Sequence, residues 1–167
     1  MSKTMFCSDD STTKEVDLKR SVLTDLETVS NDISKLDSDI TGWDGSLLTA
    51  LPLLSDVSTL ESDIKTATTD TEASSAFDDS DSASVTSEVE SLQTLIATTL
   101  SDLVDKESEV AAIGFTSTVQ SNLKTLESLA NDLLIALEAK VTSTDATTVK
   151  TAATGIDSSF ASAISAY

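Results

Sequence analysis

Asp78-Asp79-Ser80-Asp81 sets four oxygen-bearing side chains in a row, the donor type that holds calcium. An EF-type calcium loop needs oxygens at positions 1, 3, 5 and 12 and a glycine at 6. Counted from Asp79, position 5 is Ala83 and position 6 is Ser84, so the pattern fails. The run reads instead as the acidic start of a helix, where carboxylates interact well with the helix dipole. Other chemistry is equally thin. The chain has no histidine, which removes the commonest general base and the commonest metal ligand. Cys7 is the one cysteine, so neither an internal disulfide nor a Cys-His pair can form. There is no Gly-rich phosphate loop. A carboxylate pair could act as acid and base, but with 29 Asp and Glu some pair is expected by chance. These residues point to a binding protein rather than an enzyme, with no cofactor and no metal.

The charge narrows the partners. Ten Lys and Arg stand against 29 Asp and Glu, a net charge of −19. Such a chain repels nucleic-acid phosphates and anionic membranes, so neither is expected as a partner. No segment reaches the ~18 unbroken apolar residues of a membrane helix, so stable membrane insertion is not expected. Asn31, Asn122 and Asn131 each lack Ser or Thr two places on, leaving no acceptor for N-glycosylation. The first residues lack an apolar h-region of ~7–15 residues, so the chain reads as a mature domain without a signal peptide.

The remaining pattern is helical. Residues 1–16 carry no period and read as a flexible tail ahead of a helical domain over 17–167. Val22, Leu26, Val29, Ile33, Leu36 and Ile40 step by fours and threes, which puts them on one helix face. Gly42-Trp43-Asp44-Gly45 breaks that helix, with Gly42 the expected C′ residue. A second helix starts near Ser46 and carries Leu47, Leu51, Leu54, Val57, Leu60, Ile64 and Ala67, with a kink or restart expected at Pro52. Residues 68–80 read as a polar connection. Ser80 or Asp81 is the expected cap of a third helix near 81–112, with Val85, Val89, Leu92, Ile96, Leu100, Leu103 and Val110 as its stripe. Gly114 ends it. Thr116 or Ser117 caps a fourth, striped by Val119, Leu123, Leu126, Ala130, Leu133 and Leu137. A fifth follows Thr142-Ser143-Thr144, carries Val149, Ala153, Ile156, Phe160 and Ile164, and ends at Tyr167. One Pro and four Gly argue against a turn-rich β fold. The expected architecture is an all-α, five-helix antiparallel bundle.

Such a bundle could be packed solid or hold a channel. Ala130 and the alanines of the fifth helix (Ala152, Ala153, Ala161, Ala163) allow either close packing or an open interior. A channel would be lined by Leu26, Val29, Ile33 and Leu36 of the first helix and Leu54, Leu60 and Ile64 of the second. The third adds Leu92, Ile96, Leu100 and Leu103, the fourth Leu123, Leu126, Leu133 and Leu137, the fifth Ile156 and Phe160. A helix of ~24 residues is about 36 Å long, enough for an extended acyl chain. Burying about ten methylenes at ~0.8 kcal/mol each gives about 8 kcal/mol, roughly micromolar before ordering costs. A carboxylate head group would need neutral donors, a lysine, or water at the mouth. Gln93 and Thr99 are the candidate polar anchors.

Several stretches carry a family resemblance. They are Val22-Leu23-Thr24-Asp25-Leu26, the Gly42-Trp43-Asp44-Gly45 break, Leu47-Leu48-Thr49-Ala50-Leu51 and Ile64-Lys65-Thr66-Ala67-Thr68-Thr69-Asp70. The 106–114 helix ending and the close Phe160-Ala161-Ser162-Ala163-Ile164-Ser165-Ala166-Tyr167 complete the set. In order and spacing, residues 17–167 resemble the fungal hydrophobic surface-binding protein A family, which includes cell-wall galactomannoproteins. The resemblance implies a helical bundle, secreted or held in the fungal cell wall, that binds a long-chain fatty acid such as arachidonic or palmitic acid and sequesters it at the fungal surface or in the host. It leaves a second reading open, an adhesin that adsorbs to hydrophobic surfaces and recruits secreted hydrolases, opening at Trp43 and Pro52. Monomer and homodimer both fit. The family brings no catalytic motif, and no ligand motif maps onto this chain residue by residue.

Overall fold

The computed structural model describes residues 9–167. Residues 1–8 of the expected tail, Cys7 among them, lie outside the described residues. Six helices follow in order: α1 (Asp9–Gly42), α2 (Leu47–Ala73), α3 (Asp79–Asp105), α4 (Glu107–Ala112), α5 (Thr116–Glu138) and α6 (Ser143–Ala166). There is no strand among the described residues.

Three boundaries differ from the sequence expectation, each for a physical reason. α1 already runs at Asp9, because residues 13–17 are all exposed and so leave no apolar stripe to betray the helix. α2 continues to Ala73 through what reads as a polar connection. Thr68, Thr69 and Thr71 each turn the hydroxyl back onto the carbonyl four residues earlier (Ile64, Lys65 and Ala67, at 2.9, 2.9 and 2.6 Å), so these polar side chains satisfy themselves within the helix. The expected third helix is two. It breaks at Lys106, whose backbone leaves the helical region (φ −95°, ψ 6°) and whose ammonium donates to the Trp43 carbonyl at 3.1 Å. The bundle therefore has five long helices and one short one.

Pro52 neither stops nor restarts α2. It lies near the helix start, where the bond it removes would have ended on Leu48. That residue is 80% exposed, so water can take its place. Asp78 caps α3 rather than Ser80 or Asp81, accepting from the Asp81 N–H at 2.9 Å. Thr142 caps α6 through the Asp145 N–H. Phe115 precedes α5 without a side-chain cap, so neither Thr116 nor Ser117 fills that role. The tight turns fall at Gly45 (φ +81°) and Gly114 (φ +74°), left-handed positions that glycine takes without penalty. Gly42 is the last helical residue rather than a left-handed C′.

The long helices close into a ring. α1 packs on α2 and on α3, α3 on α6, α6 on α5, and α5 back on α2. Only part of the ring is antiparallel, contrary to expectation. α1–α2 and α5–α6 run antiparallel. The other seams run parallel, with Ser82 of α3 bonded to Thr142 at the start of α6 and Leu103 accepting from the Tyr167 hydroxyl at its end. Lys140, just past α5, likewise reaches the Ser74 carbonyl at the end of α2. A ring of five encloses an axial space that a close-packed four-helix bundle lacks. One apolar cluster runs along that axis, with Val22, Leu26, Leu137 and Val149 wholly buried. A smaller cluster, Trp43, Ala50 and Val110, closes the end nearest α4.

Candidate functional site

The axial space is not filled. One chamber, of about 70 Å³, lies between α1, α2, α3, α5 and α6. A second, of about 100 Å³, adjoins it toward α4. Each is smaller than the ~150 Å³ apolar cavity that stays dry and takes up benzene in an engineered protein. Both are lined by Leu36, Thr99, Leu100 and Leu126, which form the waist between them.

The helical stripes supply most of the walls. Leu26, Val29, Ile33, Leu60, Ile64, Leu92, Ile96, Leu133, Leu137, Ile156 and Phe160 line the first chamber. Leu54, Leu103 and Leu123 line the second. Thr99 sits at the waist. Gln93 lines neither chamber. It lies over Gly155 at the α3–α6 seam, where a Cβ built on the glycine would fall on the Gln93 amide. The glycine inside a helix is the signal that could have shown this, since it marks a close approach.

Sequence reasoning missed the residues that do not sit on a stripe. Trp43, Lys106, Ile113, Phe115 and Asn122 help to line the second chamber. Trp43 is a buried wall, held by its indole N–H on the Ser46 carbonyl at 3.0 Å. Lys106 is half-buried and is the basic residue among those lining either chamber. Its ammonium has three donors, and one is spent on the Trp43 carbonyl.

Charge is arranged on the flank, outside the chambers. Asp25, Asp32 and Asp39 recur every seventh residue on α1, opposite Asp70, Asp63 and Asp56 of antiparallel α2. Burial, then the neighbouring Asp70, pushes Asp25 up to about 6. Burial, then the Asp63 carboxyl, does the same to Asp32, also to about 6. The third pair has a cation. Lys35 bridges Asp39 at 2.8 Å and Asp56 at 2.7 Å, and it holds Asp39 below its ordinary value. At the α1–α3 seam, burial and Asp37 raise Asp102. Among the described residues no cluster of His, Cys, Asp and Glu could hold a metal ion. None of the described helices is long and apolar enough to cross a membrane.

The fold is an all-α ring of helices around an incompletely filled apolar interior. The family model for hydrophobic surface binding protein A matches residues 20–139, and the chain belongs to that family. A solved structure of Afmp4p in complex with palmitic acid is 37% identical, with a TM-score of 0.87 over 89% of this chain and 98% of that one. Ligand binding domain 1 of Penicillium marneffei MP1 protein, complexed with arachidonic acids, superposes with a TM-score of 0.82 over 91% of this chain and 97% of that one, at 19% identity. Domain 2 of the same protein, complexed with multiple arachidonic acids, gives 0.79 at 22% identity over 90% and 94% of the two chains. At those identities the two MP1 domains establish a shared fold. No curated protein matches the sequence.

Proposed function

We propose that this chain binds a long-chain fatty acid threaded through both chambers, its carboxylate beside Lys106 and its tail running past the waist toward Phe160. The observation that carries the reading is the pair of adjoining apolar chambers inside a closed ring, with one basic residue at one end. The palmitic acid complex of the 37% identical Afmp4p supports the ligand class. Neither chamber alone is large enough, so the guest must occupy both and turn the Leu and Ile rotamers that line them. The stripe residues named above are its proposed apolar contacts. Lys106 answers the difficulty that a carboxylate faces in a protein of net charge −19. Placed in the fungal cell wall or secreted, as monomer or homodimer, such a protein would sequester lipid rather than transform it. Displacement of a fluorescent fatty acid should saturate near one per chain, and native mass spectrometry should show one acyl-chain mass. Displacement that never saturates would overturn the reading.

A second reading has its own observation. Leu47, Leu48 and Leu51, at the start of α2, are 49%, 80% and 54% exposed, an apolar patch suited to adsorption on hydrophobic surfaces. Leu48→Ser with Leu51→Ser should release the chain from hydrophobic beads while leaving fatty-acid displacement intact. Retention on the beads counts against this patch.

A further inference from the structure

Thr99 is 6% exposed, and its hydroxyl has no hydrogen-bond partner. Of the other buried hydroxyls, Thr86 shares this state, whereas Thr71, Ser74 and Ser82 are paired. The neighbouring Thr98 donates to the Thr94 carbonyl at 3.1 Å, and helical Ser and Thr elsewhere make the same bond four residues back. Such a bond is the cheap way to satisfy a hydroxyl in a helix. Thr99 forgoes it at the waist, where its side chain lines both chambers amid apolar neighbours. A buried hydroxyl without a partner is unfavourable, and a guest that supplies one removes the penalty.

The missing partner is not the carboxylate. An ionised group at the waist would be buried far from any cation, with a single hydroxyl to meet it, an arrangement heavily penalised by desolvation. Lys106 takes the head group at the end of the second chamber. Thr99 lies seven residues before Lys106 along α3, roughly 10 Å at ~1.5 Å per residue. An extended chain advances roughly 1.2 Å per bond, so the waist falls about eight or nine bonds from the head group. We infer that the interior is selective for fatty acids carrying a hydroxyl or oxo oxygen near the middle of the chain, which Thr99 recognises by a hydrogen bond. This rests on the fatty-acid reading above and adds a specificity to it.

The test is a competition read by native mass spectrometry. The ligands are octadecanoic acid, its counterpart with a hydroxyl at a middle carbon, and its counterpart with a hydroxyl near the methyl end. The natural chain should favour the middle-hydroxyl acid over octadecanoic acid by about three- to tenfold, the worth of one neutral hydrogen bond. The methyl-end isomer should gain nothing. Thr99→Val should erase the preference between the two acids, whatever their common affinity becomes, and Thr99→Ser should restore it. Thr86 is also buried and unpartnered but lines neither chamber, so Thr86→Val should leave the preference intact. A natural chain that takes both acids equally, or a Thr99→Val chain that keeps the preference, overturns the inference while leaving fatty-acid binding standing. If no acid binds any of the chains, the underlying reading itself fails.

Discussion

The two chambers share a waist but are built by different means. The first is walled by the middles of five long helices, and its lining is stripe residues apart from Thr99 and Leu134. The second is walled partly by helix ends, around the break at Gly45, the interruption at Lys106 and the turn at Gly114. The first holds no charge. The second holds Lys106 and the amide of Asn122. Continuous helices give an apolar wall, whereas the breaks bring Lys106 and the aromatic rings of Trp43 and Phe115 to its end. The division suits a guest with one long apolar part and one charged end.

The largest effect should separate the chambers by stability. Leu137 is wholly buried in the wall of the first. Leu137→Ala should cost about 2–5 kcal/mol in urea unfolding, since both transfer free energy and a new cavity weigh against it. Leu103, only partly buried in the wall of the second, should cost clearly less when cut to Ala. Equal losses would mean that the second chamber is as much core as the first. Next comes Ile96→Trp, which puts an indole into the first chamber. Fatty-acid displacement should weaken by more than about tenfold, with an overpacking cost of about 1–3 kcal/mol in stability. Unchanged displacement would confine the ligand to the second chamber.

Lys106 tests the charged end. Lys106→Met keeps the length of the stem and removes the ammonium. Affinity for the free acid should fall about tenfold, the scale of a charge-assisted hydrogen bond in a half-buried setting. Affinity for the methyl ester of the same acid should be unchanged. Equal losses for acid and ester would move the carboxylate elsewhere.

How far the sequence reveals all this follows the same division. The apolar stripes that wall the first chamber were legible, because Leu26, Ile33, Ile96 and Leu133 recur with helical period, but those stripes fit a packed core as well as a channel. The second chamber was largely hidden. Trp43 and Phe115 lie in breaks, where no period operates, and Lys106 gains its place only because the helix stops there. Ring order was hidden too. Short connections suggest antiparallel neighbours, but a closed ring of five helices must contain at least one parallel seam, and here α1–α3, α3–α6 and α2–α5 all run parallel. The polar end of α2 escaped because Thr68, Thr69 and Thr71 hide their polarity in bonds that a sequence does not show, and the start of α1 because residues 13–17 are exposed and carry no stripe.

The smallest expected effect lies on the flank, and it sharpens the contrast. Asp25 and Asp32, beside Leu26 and Ile33 of the first chamber, face Asp70 and Asp63 without a bridging cation, and their carboxyls stand near 6. Asp39, next to Ile40 of the second chamber, is held low by Lys35. The signs are opposite. For the first two, the folded state binds protons that the unfolded chain has released, so their stabilising share is full below about pH 4 and is lost as pH rises through about 6. For Asp39, the stabilising share is present above its ordinary value and is lost on acidification. These groups are only partly buried, so the shifts in melting temperature should be modest. The natural chain should melt higher near pH 4.5 than at pH 7, and Asp25→Asn with Asp32→Asn should flatten that difference. Asp39→Asn should leave it. A natural chain with no rise on mild acidification would show that α1 and α2 already hold their carboxyls far enough apart to ionise together.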